Sequence, residues 1–300
     1  MTGLSTRKLI LPIAAWLMSL SVFSQQHFPH QIPAGNYSGI CSIGNGCFAV
    51  VDDKAQHDGF YVFRLDIDTL QRRITKAENL GYRSSGRPNR DMEGICFRPS
   101  SRTLFISGEA DNEVYEYTLE GQRTGLRLAM PQEFKRARRN QGMEALTYDT
   151  LSRQFFATTE RPLPGEAELR LQAFGDDLQP TRQYRYKPDD AISRKYYHGV
   201  AALCAMGDGR LLVLERQVRV PRLKLDAATV IRIYEVRPAE AQHLEKRLVA
   251  EFKTRLTLTS RKFANYEGCC ALSPSLLLMI ADSQHQYKKV LRDWFFVRSL

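Results

Sequence analysis

The chain has 300 residues, is 43% hydrophobic and 25% charged, and carries a formal net charge of +10. With 15 Phe, 13 Tyr and 2 Trp it can bury a substantial core, which excludes a wholly disordered chain and a small fold that depends on metal or disulfide staples. The excess of Lys and Arg raises the question of nucleic-acid binding, which depends on where the charges fall.

Residues 1–24 read as a secretory signal peptide. Arg7 and Lys8 form a basic start, residues 9–22 are apolar and uncharged, and Ser24 ends a small-residue cleavage site ahead of Gln25-Gln26. The apolar run is short for a bilayer span, and no later segment reaches that length. The expectation is a soluble protein, periplasmic or secreted, with no membrane partner once the leader is removed. Without Arg7 and Lys8 the charge falls from +10 to +8.

One phrase then recurs along residues 25–300. It is Tyr37-Ser38-Gly39, Met92-Glu93-Gly94, Met143-Glu144-Ala145, Tyr197-His198-Gly199 and Tyr266-Glu267-Gly268, and its second positions are 55, 51, 54 and 69 residues apart. Each phrase opens a short strand. A turn and a second apolar strand follow, at 48–51, 104–107, 155–158, 211–214 and 277–281. Third strands with period-two alternation are predicted at 60–67, 113–119, 168–174, 229–236 and 294–298, and fourth strands at 73–80, 125–129, 182–186 and 248–253. Residues 242–249 are ambiguous between helix and strand, and residues 217–228 form a basic insertion in the fourth repeat.

Four strands in each unit of about 50 residues, repeated, is the pattern of a β-propeller. The expected fold is all-β: a single propeller of five four-stranded blades, with six as the alternative. The fifth repeat supplies only three strands, so residues 27–33 are expected to add the fourth and close the ring. Pro29 and Pro33 suit an edge strand.

Two polar columns run through the repeats. The second position of the phrase gives Ser38, Glu93, Glu144, His198 and Glu267; the end of the second strand gives Asp52-Asp53, Glu109, Glu160, Glu215 and Asp282. Antiparallel pairing puts both columns at one mouth of the propeller. Crowded carboxylates need a cation, bound arginines or raised pKa values. A hard divalent cation answers this, Ca2+ first, with Ser38, Glu93, Glu144 and Glu267 as its candidate ligands. Arg90, Arg161, Arg216 and His198 are the candidates for holding an anionic substrate. Glu160, Glu215, His57 and His285 are the candidate catalytic acids and bases. No serine-nucleophile motif is present. Cys41, Cys96 and Cys270 fall at equivalent inner-strand places and read as small buried side chains, with a Cys41–Cys47 bridge as the alternative.

These residues resemble the esterase-like-activity-of-phytase family of exported propeller-type domains. The resemblance rests on Asn89-Arg90-Asp91-Met92-Glu93-Gly94, Asn140-Gln141-Gly142-Met143-Glu144-Ala145, Leu211-Leu212-Val213-Leu214-Glu215-Arg216 and Asn265-Tyr266-Glu267-Gly268, in that order, and extends over residues 35–298. It implies hydrolysis of a phosphomonoester or another ester. His198 and Ser38 depart from the family pattern. The phrase Tyr266-Glu267-Gly268 is also similar to one in calcium-activated nucleotidases, whose five-bladed propellers hold a central Ca2+. The expected function is an exported, metal-dependent phosphoesterase or esterase-like hydrolase, monomeric, acting on a small anionic or phosphorylated substrate. The alternative is a non-catalytic propeller that binds a ligand or partner and uses the metal structurally. With the basic residues dispersed and no recognisable module, nucleic acid is not an expected partner.

Overall fold

The computed structural model describes residues 25–300 except 223, 239 and 240, so the signal-peptide expectation for residues 1–24 lies outside the described residues. Five antiparallel sheets follow one another along the chain. Blade one is β1 (Tyr37–Gly44), β2 (Cys47–Asp52), β3 (His57–Asp68) and β4 (Arg73–Pro88). Blade two is β5 (Met92–Arg98), β6 (Thr103–Gly108), β7 (Glu113–Tyr117) and β8 (Arg123–Arg127). Blade three is β9 (Met143–Asp149), β10 (Gln154–Thr159), β11 (Leu169–Phe174) and β12 (Pro180–Tyr186). Blade four is β13 (Tyr197–Ala205), β14 (Leu211–Arg219), β15 (Ala228–Val236) and β16 (Arg247–Arg255), and blade five is β17 (Asn265–Ser273), β18 (Leu276–Asp282) and β19 (Phe295–Ser299). The ambiguous stretch resolves into an irregular connection leading into β16. A 3-10 turn at Gln132–Arg136 sits in the basic loop between blades two and three.

The ring has five blades. The innermost strands touch in the cycle β1, β5, β9, β13, β17 and back to β1. An apolar layer lies between each neighbouring pair. Between blades five and one, for example, Cys270, Leu278 and Ile280 pack on Ile40, Val50 and Phe63. Every residue of β9 is buried, whereas β8 at the rim is almost wholly exposed, because an inner strand has a sheet on both faces and an outer strand has water on one.

The small residue in the phrase follows from this crowding. A Cβ on Gly94 would lie 2.7 Å from the Leu146 backbone nitrogen of the next inner strand, and one on Gly39 would meet the Glu93 carbonyl. The phrase therefore marks where adjacent inner strands come closest. The Asn45-Gly46 turn joining β1 to β2 has both residues at positive φ, as a two-residue hairpin requires.

The N-terminal segment closes the ring, but through one residue. Gln26 exchanges both backbone hydrogen bonds with Phe295 on the outer edge of blade five, at 2.9 and 2.8 Å. Its side chain makes a matching pair with Ile74 of blade one: Nε2 donates to the Ile74 carbonyl at 2.8 Å, and Oε1 accepts from its N–H at 2.6 Å. Residues 27–33 turn away rather than continuing as a strand. His27 and Phe28 pack on Trp294 and Phe295 instead. All six cysteines are free, and all but Cys47 are buried, as their inner-strand places suggested. No described helix is long and apolar enough to cross a membrane.

Candidate functional site

The starts of the inner strands and the ends of the second strands converge on one end of the ring axis. They enclose a polar cavity of about 500 Å3. Glu93, Glu144 and Glu267 come from the first column and Asp53, Glu109, Glu160 and Asp282 from the second. Lys54, Asp91, Arg139, Asn140, Gln141, Tyr197 and Arg216 complete the wall. Glu93, Glu144 and Glu267 are buried, and all three are held well above the ordinary carboxylate range. Burial is the main cause in each, and neighbouring carboxylates add to it.

Arg216 occupies one side of this cavity. Its Nη1 donates to Glu267 and, at 3.0 Å, to Asn265 Oδ1; its Nη2 donates to Glu160 Oε1 at 3.0 Å and approaches Glu144 Oε1 at 3.5 Å. A side chain from blade four thus joins blades three and five. Burial opposes the charge on Arg216, and Glu267, Glu160 and Glu144 more than restore it, so its pKa is raised. Tyr197 donates to the other oxygen of Glu160, and the Arg161 guanidinium lies 5.3 Å from the centre of the Tyr197 ring.

The other side is arranged differently. Asp53, Asp91 and Glu93 each offer a carboxylate oxygen, and these oxygens lie within 4.8 Å of one another. Lys54 Nζ donates to Asp53 and Asp91, at 2.6 Å each, from a side chain that is 53% exposed. The Glu93 carboxylate makes no hydrogen bond or ion pair with the described residues, although it is buried and faces the cavity. Glu109 is intermediate in character. Its Oε1 accepts from the Gly142 N–H at 2.9 Å, its other oxygen is left to the cavity, and burial raises its pKa.

Of the residues expected at the site, the structure brings Glu93, Glu144, Glu160, Glu267 and Arg216 together. Ser38 lies deeper, lining the narrow axial channel with Glu144 and Glu267. Arg161 stands at the rim on Tyr197. His198 is half-buried. Burial, and after it the nearby Arg161, keep its imidazole below the ordinary range, and its Nδ1 has no partner.

Four expectations need correction. Arg90 is turned into blade two, where it binds both oxygens of Asp111 at 2.7 and 2.9 Å and the Ile106 carbonyl at 2.9 Å. Glu215 is out of register. Gly199 pairs with Arg216, just as Gly39 pairs with Val51 and Gly268 with Ile280, so the place of Asp53 and Asp282 falls to Val218 and Glu215 lies about three residues deeper along its strand. There it accepts from Tyr186, Lys246 and the Asp189 N–H in a cluster between blades three and four. Its acid does not end the second strand, because β14 continues to Arg219. His57 and His285 are exposed, and neither lines the cavity.

Asp91, Lys54 and Tyr197 were not foreseen. A third column, the residue just before each phrase, reads Asn36, Asp91, Gly142, Tyr196 and Asn265. Its polar members would have pointed to Asp91, and to the Asn265 that holds Arg216.

Residues 32–283 match the family of phytase-like domains described as esterase-like activity of phytase. That covers most of the chain, and the protein belongs to this family. A search among curated proteins finds no match. Among solved structures the chain is similar to a streptogramin B lyase, with 11% identity, coverage of 93% of this chain and 98% of that one, and a TM-score of 0.43. It is also similar to a chain of a nidogen/laminin complex, with 11% identity, 90% and 87% coverage and a TM-score of 0.46. A third is the Swd1 propeller domain of Myceliophteria thermophila, with 10% identity, 92% and 100% coverage and a TM-score of 0.40. Likenesses this distant carry no functional argument.

Proposed function

We propose that the protein is an exported, cation-dependent hydrolase of a small anionic ester, with phosphate esters the first class to test. The observation that carries this reading is the buried Glu93 carboxylate, unpartnered and facing a polar cavity beside Asp53 and Asp91. An all-carboxylate donor set suits a hard cation such as Ca2+. Asp53, Asp91 and Glu93 would hold it. Glu144 and Glu267, expected as further ligands, are already engaged by Arg216. When bound, such a cation polarises the ester oxygen and lowers the pKa of attacking water.

The chain's own groups supply the rest. Arg139 on the cavity wall and Arg161 at its rim offer guanidinium groups to the anion. Glu109 takes the general-base role expected of Glu160, because both Glu160 oxygens are occupied by Arg216 and Tyr197 while Glu109 keeps one oxygen free. Arg216 fixes the geometry of the opposite wall.

Chelator-treated protein should hydrolyse an aryl phosphate, a nucleotide, phytate or an aryl ester only after a divalent cation is restored. Glu109→Gln should abolish that turnover and leave cation binding intact. If no member of the panel is cleaved with any cation, the catalytic reading fails. One observation favours a second reading, a non-catalytic ligand-binding propeller. Arg216 joins three blades through buried ion pairs, which is how a purely structural centre would be built.

A further inference from the structure

The mouth face carries a second feature, over blades four and five and beside the cavity. Residues 219–222, 224–227, 256–263 and 283–293, from three loops, pack together as one platform. Leu256 and Ala227 are joined by a backbone hydrogen bond of 2.9 Å, as are Asp226 and Leu256. Lys224 Nζ lies 4.4 Å from the centre of the Tyr287 ring. Ala227, Leu256, Phe263 and Leu291 are buried together as a small core beneath the three loops.

That internal core does not explain the outward side chains. Val220 and Leu225 are each 42% exposed and Leu258 is 90% exposed. Leu258 sits at the apex of a tight turn, in which the Thr257 N–H donates to the Ser260 carbonyl at 2.8 Å and the Ser260 N–H to Thr257 Oγ1 at 2.9 Å. The turn holds the leucine out in water.

The charge around these apolar tips is one-sided. The three loops contain eight Lys and Arg against two Asp. Asp226 is paired with Arg255 at 2.9 Å, and Asp293 is buried. Arg222, Arg261, Lys262, Lys288 and Lys289 are exposed. The loops on the opposite face of the ring, by contrast, carry six Lys or Arg and five Asp or Glu among the described residues. The basicity of the chain is therefore concentrated on the mouth face.

Aliphatic tips ringed by Lys and Arg are suited to a surface with apolar depth and an anionic skin. A polyanion such as nucleic acid satisfies the cations but gives Leu225 and Leu258 nothing to enter. We infer that this platform docks the protein on an anionic phospholipid bilayer, with Val220, Leu225 and Leu258 at the acyl boundary and the basic residues at the phosphates. Docking would turn the mouth of the cavity toward the lipid surface. It is peripheral attachment, compatible with the lack of a membrane-spanning helix among the described residues.

The test is flotation of the purified protein with phosphatidylcholine vesicles and with vesicles that also contain phosphatidylglycerol. Binding is expected only to the anionic vesicles and should weaken with salt. Lys288→Glu with Lys289→Glu should reduce it by roughly tenfold or more, at about 1 kcal/mol for each basic residue near the surface. Leu258→Ser should also reduce it, with an unchanged melting temperature because the residue is exposed. Absence of binding, equal binding to neutral vesicles, or retention of duplex DNA that is indifferent to Leu258→Ser while vesicles are ignored would each overturn the inference.

Discussion

On the side of blades three to five, Glu144, Glu160 and Glu267 close around Arg216; on the side of blades one and two, Asp53, Asp91 and Glu93 face the cavity with only the half-exposed Lys54 between two of them. Apart from Asp91, both clusters come from the same repeated positions, and both meet the same difficulty, since buried carboxylates repel one another and lose hydration. The first is relieved in part by a cation covalently part of the chain. The second is left unresolved at Glu93. Repeats that supply the same acids in each blade can therefore place them differently, with one sector ion-paired within the chain and another open to the cavity.

The largest effect should come from the closed side. Arg216→Met leaves three buried carboxylates without a counter-charge and should cost about 3–5 kcal/mol of stability, read as a lowered melting temperature and denaturation midpoint. Survival of the variant at wild-type stability would mean that the two sides do not differ as described. On the open side the effect has the opposite sense. Lys54 competes for Asp53 and Asp91, so Lys54→Met should tighten Ca2+ binding severalfold, by about 1 kcal/mol for loss of a partly exposed pair, with little change in metal-free stability. Calorimetric titration of both proteins checks this.

The smallest effect concerns the boundary between the two. Burial raises Asp282 from an ordinary 3.8 to about 7. A group with its folded pKa raised contributes stability that is complete below its unfolded pKa and is lost as pH rises through the folded one. The difference in melting temperature between Asp282→Asn and the parent, both metal-free, should therefore shift in favour of the variant between about pH 4 and pH 7. A difference that stays flat across that window would place Asp282 in water.

Much of this was legible in the sequence. The five phrases and the period-two strands point to five blades, and the closed cycle of inner strands excludes the sixth that the sequence left open. The small residue in the phrase, glycine in four repeats and Ala145 in the third, is explained by the close approach of the neighbouring blade. The site was half legible. Glu93, Glu144, Glu160, Glu267 and Arg216 converge because they share the register of the ring. Glu215 failed because a three-residue run-on of β14 moves the mouth to another pairing, and nothing in that blade's hydrophobic pattern marks the shift. Arg90 failed because its partner Asp111 comes from a turn within its own blade. Which carboxylates keep a built-in counter-ion depends on contacts across three blades, and local pattern carries no information about those.

The most direct measurement is a calorimetric Ca2+ titration of the wild-type protein, Glu93→Gln and Glu267→Gln. The expected result is a single site that Glu93→Gln abolishes and Glu267→Gln retains. A wild type that binds no cation, or a site lost with Glu267 and kept without Glu93, would contradict it.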